Sequence, residues 1–356
     1  MALPITVAGV MSGTSLDGLD IAVCRFEALS GRWAFDVLAT KTIPYTEEWR
    51  NRLSMAFTAT GHELAHLHAD FGNYIGTCVK QFCEEQSLRP DYVSSHGHTI
   101  FHQPDKGLTL QIGCGAHIAS VTGFDTVCDF RTTDVAMGGQ GAPLVPVGDQ
   151  ILFGGHRFCL NLGGIANISF DKNEQRVAYD ICPANMVLNY LAQQAGRSFD
   201  KDGELSGEGT IIPELLDQLN ALSFYRKSPP KSLGREWFET EFLPAIENDS
   251  YSIPDRLRTV IEHIGIQVAN ALFLSPGTTM LTTGGGAYHN LLIEVIEEQI
   301  SRHGIHVVVP DATIVEFKEA IIFAFLGVLR VNNLANALAS VTGAKKDSIG
   351  GAIYKA

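Results

Sequence analysis

Positive charge is scarce in this chain. It has 26 Lys and Arg against 39 Asp and Glu, a formal net charge of −13. That balance argues against nonspecific binding to DNA or RNA, whose phosphates attract basic surfaces. No stretch reaches the roughly 18 uninterrupted apolar residues of a membrane span, and the N-terminus shows neither a basic segment nor a long apolar one of the signal-peptide kind. The seven cysteines are odd in number, scattered from Cys24 to Cys182 and without a CxxC pair, which fits reduced thiols in the cytosol. Charged residues make up only 18% against 45% hydrophobic, a composition that builds a sizeable core and excludes disorder. The expectation is a cytoplasmic protein with no nucleic-acid or membrane partner, and 356 residues favour about two domains.

What is present is organised around residues 5–26, ITVAGVMSGTSLDGLDIAVCRF. The β-favouring runs Ile5–Val10 and Leu19–Phe26 flank a turn of small and polar residues, so a strand, a tight loop and a returning strand are expected. A plain hairpin turn needs two or three such residues. This one runs from Met11 to Gly18 and offers the hydroxyls of Ser12, Thr14 and Ser15 and the carboxylate of Asp17. Gly13 and Gly18 let backbone turn sharply and approach a bulky anion. Successive N–H groups on such a turn form an anion-binding concavity, and Asp17 suits a cation, directly or through water. There is no GxxxxGK[ST] and no GxGxxG at this point, so neither a Walker loop nor a dinucleotide loop is present here.

Further along, Arg32–Thr42 reads as a third strand, and 47–57 and 62–88 have helical spacing. His62, His66 and His68 lie on the second helix, where solvated histidines are favoured over a metal site. Strands are expected at Tyr92–Ile100, Leu108–Ile112 and Thr126–Phe130, with a helix from Ala116 between the last two. The glycine-dense run Met137–Pro143 means either close backbone packing or a ligand. A second strand–turn–strand unit, FCLNLGGIANISFD from Phe158, echoes the first in pattern and suggests a duplicated α/β architecture. Strand Arg176–Ile181 delivers Asp180 at its end, and a helix starts at Asn185. Asp180 is therefore either a functional carboxylate or a helix N-cap. Residues 198–236 look like a polar excursion over the surface around helix 212–222. Helix 254–275, strand Thr278–Thr283, the glycines Gly284–Gly286, helix 288–302, strand Ile305–Val309 and helix 316–338 complete the chain. Strand, glycines and helix at 278–302 form either a simple turn or a place where a nucleotide meets bare backbone.

A phosphate-binding β-hairpin is the mark of the sugar kinase, actin and heat-shock chaperone superfamily. Within it, GVMSGTSLDGLDIAV resembles the start of the anhydro-N-acetylmuramic acid kinases. The resemblance continues in order through SHGHTIFHQP, LQIG, DFRTTDVAMGGQGAPLVP, LNLGGIANIS, KSLGRE, TTGGG, Glu319-Ala320 and SVTGA. It implies an α/β fold of two ribonuclease-H-like domains around a central cleft, residues 1–140 with 315–356 and residues 141–314. It also implies ATP and Mg²⁺, a small anhydro sugar as substrate, and a homodimer. Gly13, Thr14, Ser15, Leu16, Asp17, Gly18, Leu19 and Asp20 match the first phosphate segment, with Asp17 near the metal. Gly163, Gly164 and Asn167 lie in the second phosphate element, and Gly284, Gly285 and Gly286 in the adenosine element. His98, Thr99, Arg131, Asn185 and Glu319 fall on the sugar side, and Asp180 matches the catalytic base.

The implied reaction opens 1,6-anhydro-N-acetylmuramic acid with water and phosphorylates O6, giving N-acetylmuramic acid 6-phosphate in peptidoglycan recycling. The chain departs from the family around that base. The usual DTGPGN is Asp180-Ile181-Cys182-Pro183-Ala184-Asn185, and the added side chains are expected to fill substrate space. His98 stands for the Gln of HGQT, and the acids before Glu-Ala reduce to Glu316 followed by Phe317. Three readings stay open on sequence: that kinase, a kinase of another sugar such as levoglucosan, and an ATP-binding sensor with weak or no catalysis.

Overall fold

The two runs that flank the opening turn pair as strands β1 (Ile5–Ser12) and β2 (Gly18–Leu29), antiparallel from Ile5 opposite Phe26 to Ser12 opposite Leu19. The computed structural model describes residues 4–29, 31–247 and 250–356. Strand β3 (Arg32–Pro44) continues the meander on β2. On the other side of β1 lies β4 (Tyr92–Gln103), parallel to it; β5 (Leu108–Ile112) folds back on β4, and β6 (Asp125–Cys128) runs parallel to β4. The second hairpin forms β7 (Phe158–Leu162) and β8 (Ile165–Lys172), followed by antiparallel β9 (Gln175–Pro183). Strand β10 (Thr278–Thr283) is parallel to β7, and β11 (Ile305–Val308) is parallel to β10. Last comes β12 (Ala352–Tyr354), antiparallel to β6 and unforeseen in the sequence, where three residues are too few for a periodic signal.

The first sheet has the order β12-β6-β4-β1-β2-β3, and the second β11-β10-β7-β8-β9. With the hairpin strand β5 and the terminal β12 set aside, the remaining strands of each sheet stand in the order 3-2-1-4-5, three antiparallel strands followed by two parallel ones. This is the ribonuclease-H-like arrangement, present twice. Packing divides the chain into one unit of Met1–Leu152 with Phe317–Ala356 and another of Phe153–Glu316.

In the first unit, helix Gly61–Glu85 begins with a reciprocal capping box between Thr60 and Glu63. Its stripe Leu67, Phe71, Ile75, Val79 and Phe82 is buried with Val10, Ile21 and Val93 of the sheet. The other face meets residues 317–331 of helix Ala312–Val331, and Gly9 permits the contact: a Cβ there would stand 2.1 Å from the Ala320 carbonyl oxygen. The helix expected at 254–275 ends at Asn270, because Phe273 turns to pack edge-on against Phe158 and Phe170. The helix expected at 316–338 starts earlier, at Ala312, and stops at Val331, before Asn333 takes the left-handed conformation at φ 53°.

The glycine-dense loop at 137–143 resolves in favour of packing. Fully buried Asp134 accepts the Gly141 amide at 2.7 Å and the Thr342 hydroxyl at 2.7 Å. A Cβ on Gly139 would lie 2.2 Å from that same carboxylate.

Candidate active site

In the first unit, the turn after β1 leaves Thr14, Ser15 and Asp17 exposed. Its left-handed residue is Leu16, at φ 60°, and not either glycine. Gly18 serves a different purpose from the one expected: a Cβ there would meet the Ile43 carbonyl of β3 at 2.7 Å. Leu19 is fully buried in the core, so its side chain is withdrawn from any ligand, and Asp20 accepts the Thr42 hydroxyl at 2.6 Å. Among the described residues, nothing hydrogen-bonds or ion-pairs with the Asp17 carboxylate. An exposed, uncommitted acid beside two hydroxyls fits a hydrated Mg²⁺, which keeps several waters and takes one or two carboxylates.

Of the residues of this unit expected on the sugar side, His98 joins that turn through a buried chain. Tyr45 donates its hydroxyl to Ser12 Oγ at 2.6 Å, and Ser12 lies 2.8 Å from His98 Nδ1. Burial depresses the His98 pKa to about 4, with the Ser12 bond acting the other way, so the ring is neutral at ordinary pH. Arg131 donates from Nε to His96 Nε2 at 3.0 Å and from Nη1 to the Gly141 carbonyl at 2.7 Å. Burial lowers Arg131 to about 10 while the Glu319 charge opposes this, so the guanidinium stays cationic and near that acid. Thr99 accepts from the Gln111 amide at 3.4 Å. His62 and His66 stack edge-on at 4.6 Å, His68 accepts the Gly113 amide, and no group of three metal ligands occurs among the described residues.

In the second unit, β9 carries a bulge. Asn167 pairs with Asp180 and Ala166 with Cys182, which leaves Ile181 as the extra residue. Ile181 and Cys182 therefore both turn inward, and with Ala184 they are 3%, 0% and 0% exposed in the core. This overturns the expectation that the Cys182 and Ala184 side chains fill substrate space: their bulk lies in the core. Asp180 is half-buried. Its amide donates to the Lys231 carbonyl at 3.1 Å, and its Oδ2 accepts the Leu233 amide at 2.8 Å. Burial raises the carboxyl pKa, and the Leu233 bond partly offsets this. Asp180 is not a helix cap either. The first amides of helix Asn185–Gln194, those of Ala184, Asn185 and Met186, donate to the carbonyls of Gly163 and Gly164.

The two glycine elements of this unit meet around Asn185. Its side-chain amide donates to the Leu162 carbonyl at 2.9 Å, and Gly284 and Gly286 press on Leu162 from β10. Gly284 sits at φ 84°, and a Cβ would come within 2.8 Å of the Leu162 oxygen, so only glycine fits. Beside them opens a cavity of about 450 Å³ lined by Asn185, Phe199, Asp200, Gly285, Tyr288 and His289 among others. Its wall is a knot built on Asp200, which accepts the amides of Leu205 and Ser206 and lies 3.3 Å from His289. Burial alone would raise Asp200, but bonds from His289, Ser206 and Leu205 hold it at about 2.

This corrects the reading of 198–236 as a surface excursion, since Asp200 and Phe224 are 3% and 2% exposed. Its anchors went unrecognised because they sit singly among polar neighbours. Phe199, Tyr288 and His289 were missed for the same reason, although an exposed aromatic such as Phe199 inside a polar run is a signal.

The family profile of the anhydro-N-acetylmuramic acid kinases matches residues 5–356. The Gloeobacter violaceus enzyme of that name is 36% identical, with 96% of each chain covered. The one from Sulfurimonas denitrificans is 33% identical, with 98% of each chain covered. That from Pseudomonas fluorescens is 34% identical over 97% of this chain and 98% of its own. With a profile match across nearly its whole length and relatives above 30% identity end to end, this chain belongs to the anhydro-N-acetylmuramic acid kinase family.

Proposed function

We propose that this chain opens the 1,6-anhydro bridge of anhydro-N-acetylmuramic acid with water and phosphorylates O6 from ATP, with Asp180 as the general base. The observation that carries the role of Asp180 is its placement: a half-buried carboxylate at a strand bulge, with a raised pKa and one oxygen held by an amide. Asp180 takes a proton from a water as the water oxygen bonds to C1. The C1–O6 bond breaks, and O6 takes the γ-phosphoryl group as ADP leaves. Positioning and charge neutralisation carry such a transfer. The turn Gly13–Asp17 of the first unit and the turn Gly163–Gly164 of the second are each phosphate elements in this reading, and Asp17 would hold Mg²⁺ through water. Bound there, Mg²⁺ supplies charge neutralisation. The cavity beside Gly284–Gly286 is of a size for a nucleoside, with Phe199 and Tyr288 as its exposed aromatics.

Arg131, His98, Thr99 and Glu319 serve the sugar. The burial of Ile181, Cys182 and Ala184 favours the anhydro-muramic substrate over another sugar, because these departures change the core and not the site. A family of metabolic kinases fits a cytoplasmic setting, and among the described residues no helix is long and apolar enough to cross a membrane. The homodimer implied by the family is checked by light scattering, where a mass near 38.6 kDa would reject it.

The test of the base is Asp180→Asn in an assay of sugar-dependent ADP release. General-base loss lowers kcat by about 10²–10⁴-fold with the KM for ATP unchanged. Full activity in this variant rejects the assignment.

A further inference from the structure

Two residues far from Asp180 in sequence, Lys231 and Leu233, hydrogen-bond to it. We propose that Lys231-Ser232-Leu233 is a strap that positions the Asp180 carboxylate, with the Lys231 side chain as its anchor. The inference rests on Asp180 being the base.

The strap makes two main-chain bonds to one residue: Asp180 donates to the Lys231 carbonyl, and Leu233 donates to Asp180 Oδ2. The flanking residues 226–230 and 234–236 are exposed, whereas Lys231 and Leu233 are half-buried. What pins the segment is Lys231. Its ammonium lies 4.5 Å from the centroid of the buried Phe224 ring and 5.9 Å from that of Tyr179, and it donates to the Phe224 carbonyl at 3.5 Å. Phe224 in turn packs against Trp237 and Tyr225, so the anchor bears on core.

A carboxylate on a short side chain can turn about its Cβ–Cγ bond. With Oδ2 fixed by an amide, Oδ1 has one direction, and among the described residues nothing else hydrogen-bonds to it. Loss of the Leu233 donor frees the rotation and withdraws a bond that favours the charged form, so the base would titrate higher. The titratable groups around Asp180 are Tyr179 and Cys182 on its own strand, Lys231 on the strap, and Tyr225, which lies near Cys182 and is bonded to His263. Lys231 is the cation among them, which makes Lys231→Arg the control that preserves charge and ring contact.

The experiment measures kcat and the KM for ATP against pH for wild type, Asp180→Asn, Leu233→Pro, Lys231→Met and Lys231→Arg, with thermal melting alongside. Leu233→Pro deletes the donor itself. Lys231→Met keeps the stem and removes the anchor, so it carries the test if the proline variant fails to fold. The expected result is a kcat lowered about 10–100-fold, the range typical of lost supporting contacts, in Leu233→Pro and Lys231→Met. The acid limb of the profile moves to higher pH, the KM for ATP is unchanged, and Lys231→Arg is near wild type. A merely structural strap would lower melting without moving the acid limb, and that outcome overturns the proposal. If Asp180→Asn abolishes turnover while Lys231→Met keeps wild-type kcat and acid limb, the strap is rejected and the base stands. If Asp180→Asn is fully active, the base reading falls and the strap with it.

Discussion

The two units share a sheet order, yet their opening turns have opposite fates. After β1, the residues Thr14, Ser15 and Asp17 face solvent, and the one main-chain bond inside the turn is a long one from Leu16 to Gly13 at 3.4 Å. After β7, the carbonyls of Gly163 and Gly164 take three amides of the next helix, and the Leu162 carbonyl takes Asn185. The first turn keeps its polar groups for a solute, while the second commits its carbonyls to scaffold. A duplicated topology thus supplies two equivalent corners, and local hydrogen bonding commits the carbonyls of one while leaving side chains of the other open. The turn glycines are alike in having room, since a Cβ on Gly13 or Gly164 would find nothing closer than 3.5 Å, whereas one on Gly284, which backs the second corner, would find atoms at 2.6 Å.

The largest effect that would test this contrast is Gly284→Ala. Its left-handed backbone and the clash with Leu162 should cost about 3 kcal/mol in chemical denaturation, and a loss below 1 kcal/mol would mean the second corner is looser than described. Next comes Asp17→Asn, which should lower turnover about tenfold and raise the Mg²⁺ requirement while leaving melting unchanged. Unchanged metal dependence would remove Asp17 from the site. A third effect concerns pH. The folded-state pKa of His98 is depressed from 6.5 to about 4, so the unfolded chain takes up this proton first. The stability contributed by neutral His98 is full above pH 6.5 and lost as pH falls toward 4. His98→Gln should flatten that part of the stability profile, and an unaltered slope would contradict the burial. The smallest effects are Gly13→Ala and Gly164→Ala, each within about 0.5 kcal/mol of wild-type stability. Gly13→Ala should nonetheless raise the KM for ATP, as expected of a turn that holds a ligand.

Much of this was legible in the sequence. The paired turns at 11–18 and 163–164 announced two strand–turn–strand units because alternating apolar runs and small residues have a period and a composition. The motif positions of His98, Arg131 and Asp180 were legible as a resemblance. The bulge at Ile181 was not, since a one-residue change of register leaves no compositional trace, and it is what reverses the meaning of Ile181 and Cys182. Nor was the Leu233–Asp180 bond, which spans 53 positions and uses a backbone amide that every residue but proline possesses. Asp134 stands in the sequence simply as an acid within DFRTTDVAMGG. Its role shows only once Gly141 and Thr342 are seen to close on it, and Gly141 is in turn the residue that holds Arg131.

The first unit is interrupted in the chain, and this sets an order of assembly on the ribosome. Residues 153–316 form one uninterrupted unit and are complete before residues 317–356 have been translated. Until then, one face of the β1–β2 sheet lacks its cover, because Ala320 over Gly9 and Phe325 over Phe26 both come from the late segment. The N-terminal strands are made first and finished last. A chain truncated after residue 316 and released should therefore show a protease-resistant second unit and a sensitive first one, its early strands still waiting for the segment that covers them.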